Sequence, residues 1–176
     1  MRQVLSTIRQ VFNPDERGEN DLHRAAWSGQ VERVRNLLDN GADIDGQNGY
    51  GYTPLNSAAF KGYYNVVQIL LAAGADVHVS NNDGGTALSG ASYKGHENVV
   101  KLLLEAGADV DSADEEGRTA LSAAAFNGHQ RVVEMLLQAG AGIHSLNIYG
   151  GTALSGAILN GHYKVVNILR QAGATQ

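Results

Sequence analysis

A regular spacing of about 33 residues constrains the fold of this chain more than any other feature. Three sets of residues recur at this spacing, one of threonines, one of leucines and one of glycines: Thr53, Thr86, Thr119 and Thr152; Leu22, Leu55, Leu88, Leu121 and Leu154; Gly29, Gly62, Gly95, Gly128 and Gly161. Periods of about 20–50 residues are typical of repeat arrays, in which neighbouring units stack to build a shared core. The 176 residues are therefore predicted to form one elongated array rather than a globule.

The segment 85–110, GTALSGASYKGHENVVKLLLEAGADV, indicates how one unit folds. Thr86 is a favourable N-cap for a short helix, and Gly95 ends that helix. A second helix ends at Gly107, since glycine tolerates the left-handed conformation. The apolar side of this second helix is formed by Val99, Val100, Leu102, Leu103 and Leu104. A lone helix pair of this size cannot bury that side, so stacking must provide the core.

The repeated pattern T-[PA]-L-x-x-[AS]-x-x-x-G-[HY]-x-x-V-V-x-x-L-x-x-x-G-A resembles the ankyrin repeat, and the resemblance covers residues 19–175. It implies an all-α solenoid of stacked helix-turn-helix units with protruding β-turn loops. The five repeats are placed at about 19–47, 48–80, 81–113, 114–146 and 147–176, after an amphipathic helix and polar linker at 1–18.

An amphipathic helix is predicted ahead of the repeats. Its apolar side spans an arc of about 120° on a helical wheel and consists of Val4, Leu5, Ile8, Val11 and Phe12. Three interpretations remain open: a cap on the flank of repeat one, a seam for a partner or for self-association, and a membrane-surface helix. A monomer, or a dimer formed through these residues, is expected.

Charged residues replace apolar or small ones at both ends of the array. Arg33 occupies a column of valines, Arg24 a column of small residues and Arg170 a column of leucines. End repeats need a polar outer face to stay soluble. The expectation is therefore that the array is complete at five repeats.

The T-P-L-H tetrapeptide of the family is altered in all five repeats, and its histidine is replaced in four of them. Only His23 keeps the histidine, and its column otherwise holds Asn56, Ser89, Ser122 and Ser155. The resemblance implies that this histidine makes hydrogen bonds within and between repeats. The serines are expected to link neighbouring repeats less well.

Composition argues against several classes of function. The net charge of −5 comes without a basic stripe, which disfavours nucleic-acid binding. Cysteine is absent, which excludes disulfides, thiol catalysis and cysteine-based zinc sites. No run approaches the roughly 20 apolar residues of a membrane span. No signal peptide is recognised, so a cytoplasmic or nuclear location is expected.

No catalytic, metal or cofactor site is predicted. His96, His129 and His162 recur once per repeat, whereas zinc ligands converge on one point. The serines lack an activating base, and the glycine-rich turns lack the lysine of a phosphate loop. A non-enzymatic protein without a cofactor is expected.

The resemblance implies that another protein binds to the turn tips and to the exposed side of each first helix. The corresponding helix residues are Trp27, Phe60, Lys61, Tyr93, Lys94, Phe126, Asn127 and Leu159. The corresponding tip residues are Tyr50, Tyr52, Asp83, Glu115, Arg118, Ile148 and Tyr149. Aromatic residues and arginine are enriched in binding hot spots. The alternative is that the aromatic column packs under the turns as a satellite core.

Two functions follow as hypotheses. The first is a stoichiometric binder, inhibitor or adaptor of another protein, in host regulation or as a microbial or viral effector that inhibits a host protein. The second is a structural protein that self-assembles into a dimer through its N-terminal helix.

Overall fold

A computed structural model describes residues 20–175, and in this range the chain forms five helix pairs. The first helices are α1 Asp21–Trp27, α3 Pro54–Lys61, α5 Ala87–Lys94, α7 Ala120–Phe126 and α9 Ala153–Leu159. The second helices are α2 Val31–Asp39, α4 Tyr64–Ala72, α6 Glu97–Glu105, α8 Gln130–Gln138 and α10 Tyr163–Gln171. One isolated β-bridge joins Ala113 and Thr119 within the described chain. The predicted all-α repeat solenoid is confirmed.

The first helices begin where the sequence predicts because each has a side-chain cap, and four of these caps are reciprocal. The Thr86 side chain accepts a hydrogen bond from the Ser89 backbone N–H, and the Thr86 N–H donates to Ser89 Oγ at 2.9 Å. The same capping box opens α3, α7 and α9. In α1 the cap is Asn20, whose side chain accepts the N–H of His23. Each box satisfies two backbone donors that the first helical turn leaves unpaired.

The core is a continuous column shared by all five pairs. Each first helix contributes a leucine that is at most 2% exposed: Leu22, Leu55, Leu88, Leu121 and Leu154. Each second helix adds valine and leucine from its apolar side, as Val99, Val100 and Leu103 do in α6. Full burial of one such side chain stabilises the fold by about 1.5–3 kcal/mol. Stacking therefore supplies the core that a single pair lacks.

The charged residues predicted at the ends of the array are exposed. Arg24 and Arg33 both bind the Asp21 carboxylate, and their side chains are 53% and 50% exposed. The Arg24 guanidinium lies 2.5 Å from this carboxylate, so the N-terminal flank is polar but locally ordered. Arg170 at the other end is also exposed, whereas leucines hold its column in the other repeats.

The predicted N-terminal helix, with its apolar side at Val4, Leu5, Ile8, Val11 and Phe12, lies outside the described residues. Its three interpretations therefore remain predictions. Among the described helices, none is long and apolar enough to cross a lipid bilayer.

Candidate protein-binding surface

The residues at the C-terminal end of the first helices form a ladder, which consists of Trp27, Phe60, Tyr93, Phe126 and Leu159. Its first three rings stack on one another. The ring centroids of Trp27 and Phe60 are 6.4 Å apart at an interplanar angle of 11°, and Phe60 and Tyr93 repeat this geometry. Stacked aromatic pairs of this kind stabilise by about 0.5–1.5 kcal/mol beyond the area they bury. This part of the ladder therefore contributes to packing between repeats.

Lysines lie against the stacked rings. Lys61 Nζ is 3.9 Å from the Trp27 centroid, and Lys94 Nζ is 4.7 Å from the Phe60 centroid and 5.4 Å from that of Tyr93. These are cation–π distances. Each lysine comes from the end of one first helix and reaches a ring of the preceding repeat. The N-terminal rungs are thus half-buried and already bear cations.

The C-terminal rungs are more open. Phe126 is 45% exposed and Leu159 is 77% exposed. Asparagines replace the lysines here, and their amides turn back onto their own helices: Asn127 donates to Ala123 O and Asn160 to Gly156 O, both at 2.9 Å. The ladder therefore changes from packed rings with cations to exposed apolar side chains.

A column of histidines fixes the ladder to the following repeat. His96 Nε2 lies 3.0 Å from Phe60 O, His129 Nε2 2.9 Å from Tyr93 O, and His162 Nε2 3.0 Å from Phe126 O. Because a carbonyl only accepts, Nε2 must carry the proton and donate. Burial lowers the pKa of His96, which favours this neutral donor. The structural interpretation of the histidines holds, but the sequence did not reveal that each bond ends on a ladder residue.

The first boundary between repeats uses another histidine. Tyr63 stands where repeats three to five have histidine, and His23 Nε2 instead lies 2.6 Å from Tyr52 O in repeat two. The serines in the column of His23 bond only within their own repeats in the described chain, as Ser89 Oγ does to Thr86 O at 2.9 Å. The expectation that serine links neighbouring repeats less well is confirmed.

The turn tips form a hydrogen-bonded row. Backbone N–H groups of one tip donate to carbonyls of the preceding tip: Asn82 to Tyr50 O at 3.0 Å, Glu115 to Asp83 O at 2.9 Å, and Ile148 to Glu116 O at 2.9 Å. Within each tip an asparagine or aspartate side chain accepts two backbone N–H groups, as Asn147 does from 149 and 151. The row is therefore held in one shape before any partner binds.

The chemistry of the tips changes along this row. Asp83 and Glu115 are exposed carboxylates, while Arg118 is held by Asp114 at 2.7 Å and Glu116 at 3.0 Å. Tyr50 and Tyr52 are half-buried, and burial raises the pKa of Tyr52. The last tip is apolar, with Ile148 64% and Tyr149 79% exposed.

Five further exposed apolar side chains were missed by sequence reasoning, and three of them lie in or next to repeat five. Leu146 is 63%, Ile158 50% and Tyr163 76% exposed. Ile158 gave a signal that could have been read, because its column otherwise holds only alanine or serine. Repeat five and the turn that leads into it thus carry most of the large exposed apolar side chains of the described chain.

These features define a helical repeat protein with a preformed, grooved binding surface. A sequence profile of ankyrin repeats in three copies matches residues 3–81, 22–114, 73–147 and 91–176. The chain belongs to the ankyrin repeat family, and its repeats form a module for protein–protein interaction.

One curated relative illustrates how local the likeness to other proteins is. A stretch of 55 residues, 31% of this chain, is 46% identical to the transient receptor potential cation channel subfamily A member 1 homolog of Caenorhabditis elegans. The match spans 4% of that protein's length. The similarity is therefore one of repeat sequence.

Proposed function

We propose that this chain is a stoichiometric binder of another protein, acting as an inhibitor or adaptor, and that its main anchors lie in repeats four and five. The proposal rests on the change in side-chain exposure along the ladder and the tips. The N-terminal rungs are stacked and bear lysines, whereas Phe126, Leu159, Ile148 and Tyr149 are exposed. Large exposed apolar side chains on a soluble fold mark interaction sites.

The scaffold favours such a role because it is rigid before binding. The bonds between tips and the histidine bonds to the ladder carbonyls hold the two rows of side chains in place. A surface ordered in advance loses little conformational entropy on association. The same surface also carries charged side chains, which are suited to select among partners by charge. These are Lys61, Lys94, Asp83 and Glu115.

The proposal is of binding without catalysis, in keeping with a family that is generally non-enzymatic. Covering a partner's active or docking surface requires only a fixed shape and complementary chemistry. Action in the cytoplasm or nucleus is part of the same proposal.

The proposal is tested by affinity capture from cells of the source organism, with the full chain as bait. We expect the double variant Phe126→Ala, Leu159→Ala to lose at least tenfold in the amount of a specific partner retained. Truncating central apolar anchors typically costs about 2 kcal/mol or more of binding free energy. Exposed positions contribute little to folding, so the variant should stay folded. Captured proteins would be quantified by mass spectrometry.

The matched control is Tyr64→Ser, which removes a 40% exposed aromatic ring from the outer helix α4. It should retain the partner at the wild-type level. Equal capture by the wild type and the double variant would refute the placement of the anchors. Equal loss with both variants would indicate non-specific adhesion of apolar side chains.

A further inference from the structure

In repeats one to four, the side that faces the next repeat is covered by that repeat. We call the corresponding side of repeat five the end face. Its extent follows from the repeat geometry. A Cβ added to Gly62, Gly95 or Gly128 would lie 2.5–2.6 Å from the histidine ring of the next repeat. At Gly161, in the same column, nothing lies within 4 Å. The end face is therefore uncovered among the described residues.

The end face carries a larger apolar side chain at one position than the surfaces that stack inside the array. Ile158 is 50% exposed, whereas the residues of its column in the other repeats are 0% exposed: Ala26, Ala59, Ser92 and Ala125. A large apolar group thus occupies a position that elsewhere accepts only a small one.

This replacement also indicates what the end face does not bind. Another repeat stacked in the same register would meet isoleucine where a small side chain fits, and overpacking costs about 1–3 kcal/mol. It would also cover Arg170, which stands in a column of partly buried leucines. Burying an unpaired guanidinium is strongly unfavourable.

The charge around the end face is unlike that of the rest of the chain. Residues 147–176 contain no aspartate or glutamate and carry Lys164 and Arg170. Residues 81–146 contain nine carboxylates against four lysines and arginines. A second end face from another copy would bring arginine towards arginine, which is repulsive. An acidic partner is favoured instead.

We propose that the end face binds an acidic amphipathic helix of another protein. This site is separate from the ladder and the turn tips proposed above as the binding surface, which we call the concave surface. Ile158 receives the apolar side of the incoming helix, and Arg170 pairs with its carboxylates. The sides of α9 and α10 offer the ridges and grooves against which a helix packs. Charge complementarity with this lone basic repeat makes the interaction selective.

The probe for a direct test is a fluorescein-labelled peptide of about 18 residues, which is long enough for a helix of several turns. It carries leucine at i, i+3, i+4 and i+7 spacing and glutamate or alanine elsewhere. Titration of the full chain should raise its fluorescence anisotropy and saturate, with a Kd on the order of 10 µM at low salt. Ile158→Ser and Arg170→Glu should each weaken binding at least tenfold. Circular dichroism and thermal melting of both variants establish that they remain folded.

Two control variants test whether the binding belongs to the end face. Arg131→Glu makes the same charge change on the outer helix of repeat four and should leave the Kd unchanged. Phe126→Ala alters the concave surface and should also leave it unchanged. Equal weakening by Arg131→Glu would overturn the proposal in favour of non-specific attraction. Loss of binding with Phe126→Ala alone would place the peptide on the concave surface.

Two other occupants would each overturn the proposal by a distinct result. Co-flotation with vesicles of phosphatidylcholine and phosphatidylserine, without peptide binding, would assign the end face to a membrane surface. A dimer in sedimentation that Ile158→Ser dissociates would assign it to a second copy. Because the probe is a peptide and the readout is a Kd, failure here leaves the capture test of the concave surface intact.

Discussion

At the scale of single residues, the boundaries between interior repeats depend on pairs of glycine and histidine. Gly95 has a φ of 75°, in the left-handed region that glycine adopts readily. Its missing side chain also leaves room for the His129 ring, whose Nδ1 would lie 2.5 Å from an added Cβ. One glycine thus serves the helix end and the contact with the next repeat.

Gly161 allows these two roles to be separated, because its φ is 72° but nothing lies within 4 Å. We expect Gly95→Ala to destabilise the fold more than Gly161→Ala. Both variants lose about 1–2 kcal/mol to the left-handed backbone, and Gly95→Ala adds about 1–3 kcal/mol of overpacking. Urea unfolding measures the difference; equal losses would mean that the histidine ring moves aside at no cost.

At the scale of elements, the column at the ends of the first helices changes from packed rings to exposed side chains. Phe60 stacks between Trp27 and Tyr93, whereas Leu159 is 77% exposed at the other end. Packing therefore describes the N-terminal part of the column, and binding by the exposed rungs stays a prediction.

This division predicts opposite outcomes for two substitutions in the same column. Phe60→Ala should destabilise the fold by about 2 kcal/mol, below the roughly 3–5 kcal/mol typical of a fully buried phenylalanine because the ring is only half-buried. Leu159→Ala should stay within about 0.5 kcal/mol of the wild type. Chemical denaturation measures both. An unchanged stability for Phe60→Ala would show that the stacked rings belong to the interface rather than to the core.

At the scale of the whole molecule, buried histidines make the stability of the array depend on pH. Burial lowers the pKa of His23 and of His96 below the ordinary value of 6.5. For His96, the hydrogen bond to Phe60 O opposes this, and the charges of Lys94 and His129 reinforce it. The folded chain therefore binds fewer protons than the unfolded chain in the window just below pH 6.5.

Stability must then fall as the pH falls from 6.5 towards the folded-state pKa values, because protons favour the unfolded state there. We expect the urea midpoint to decrease between pH 7.5 and pH 5.5. The double variant His23→Gln, His96→Gln should start from a lower midpoint and show a shallower decrease. The same slope in both proteins would exclude these two histidines as the cause.

Much of the fold could be predicted because its determinants are local and repeated. One short helix, with its cap and its end, is specified by Thr86, Ser89 and Gly95. Equivalent residues recur at the regular spacing of the repeats, so the same helix forms again along the chain. Stacking of the helix pairs follows, since each has an apolar side too large to leave in water. The identities of the candidate ladder and tip residues came from their positions in the repeat together with the resemblance to the ankyrin family.

The role of each candidate residue was decided only by the tertiary structure. Lys61 reaches the ring of Trp27 in the preceding repeat, and Arg118 is held by two carboxylates of its own tip. Exposure at Phe126, Ile158 and Leu159 depends on what the neighbouring repeat places over them. A periodic sequence determines which residues share a column. Contacts between columns depend on side-chain size and reach, and these determine whether a rung is packed or exposed.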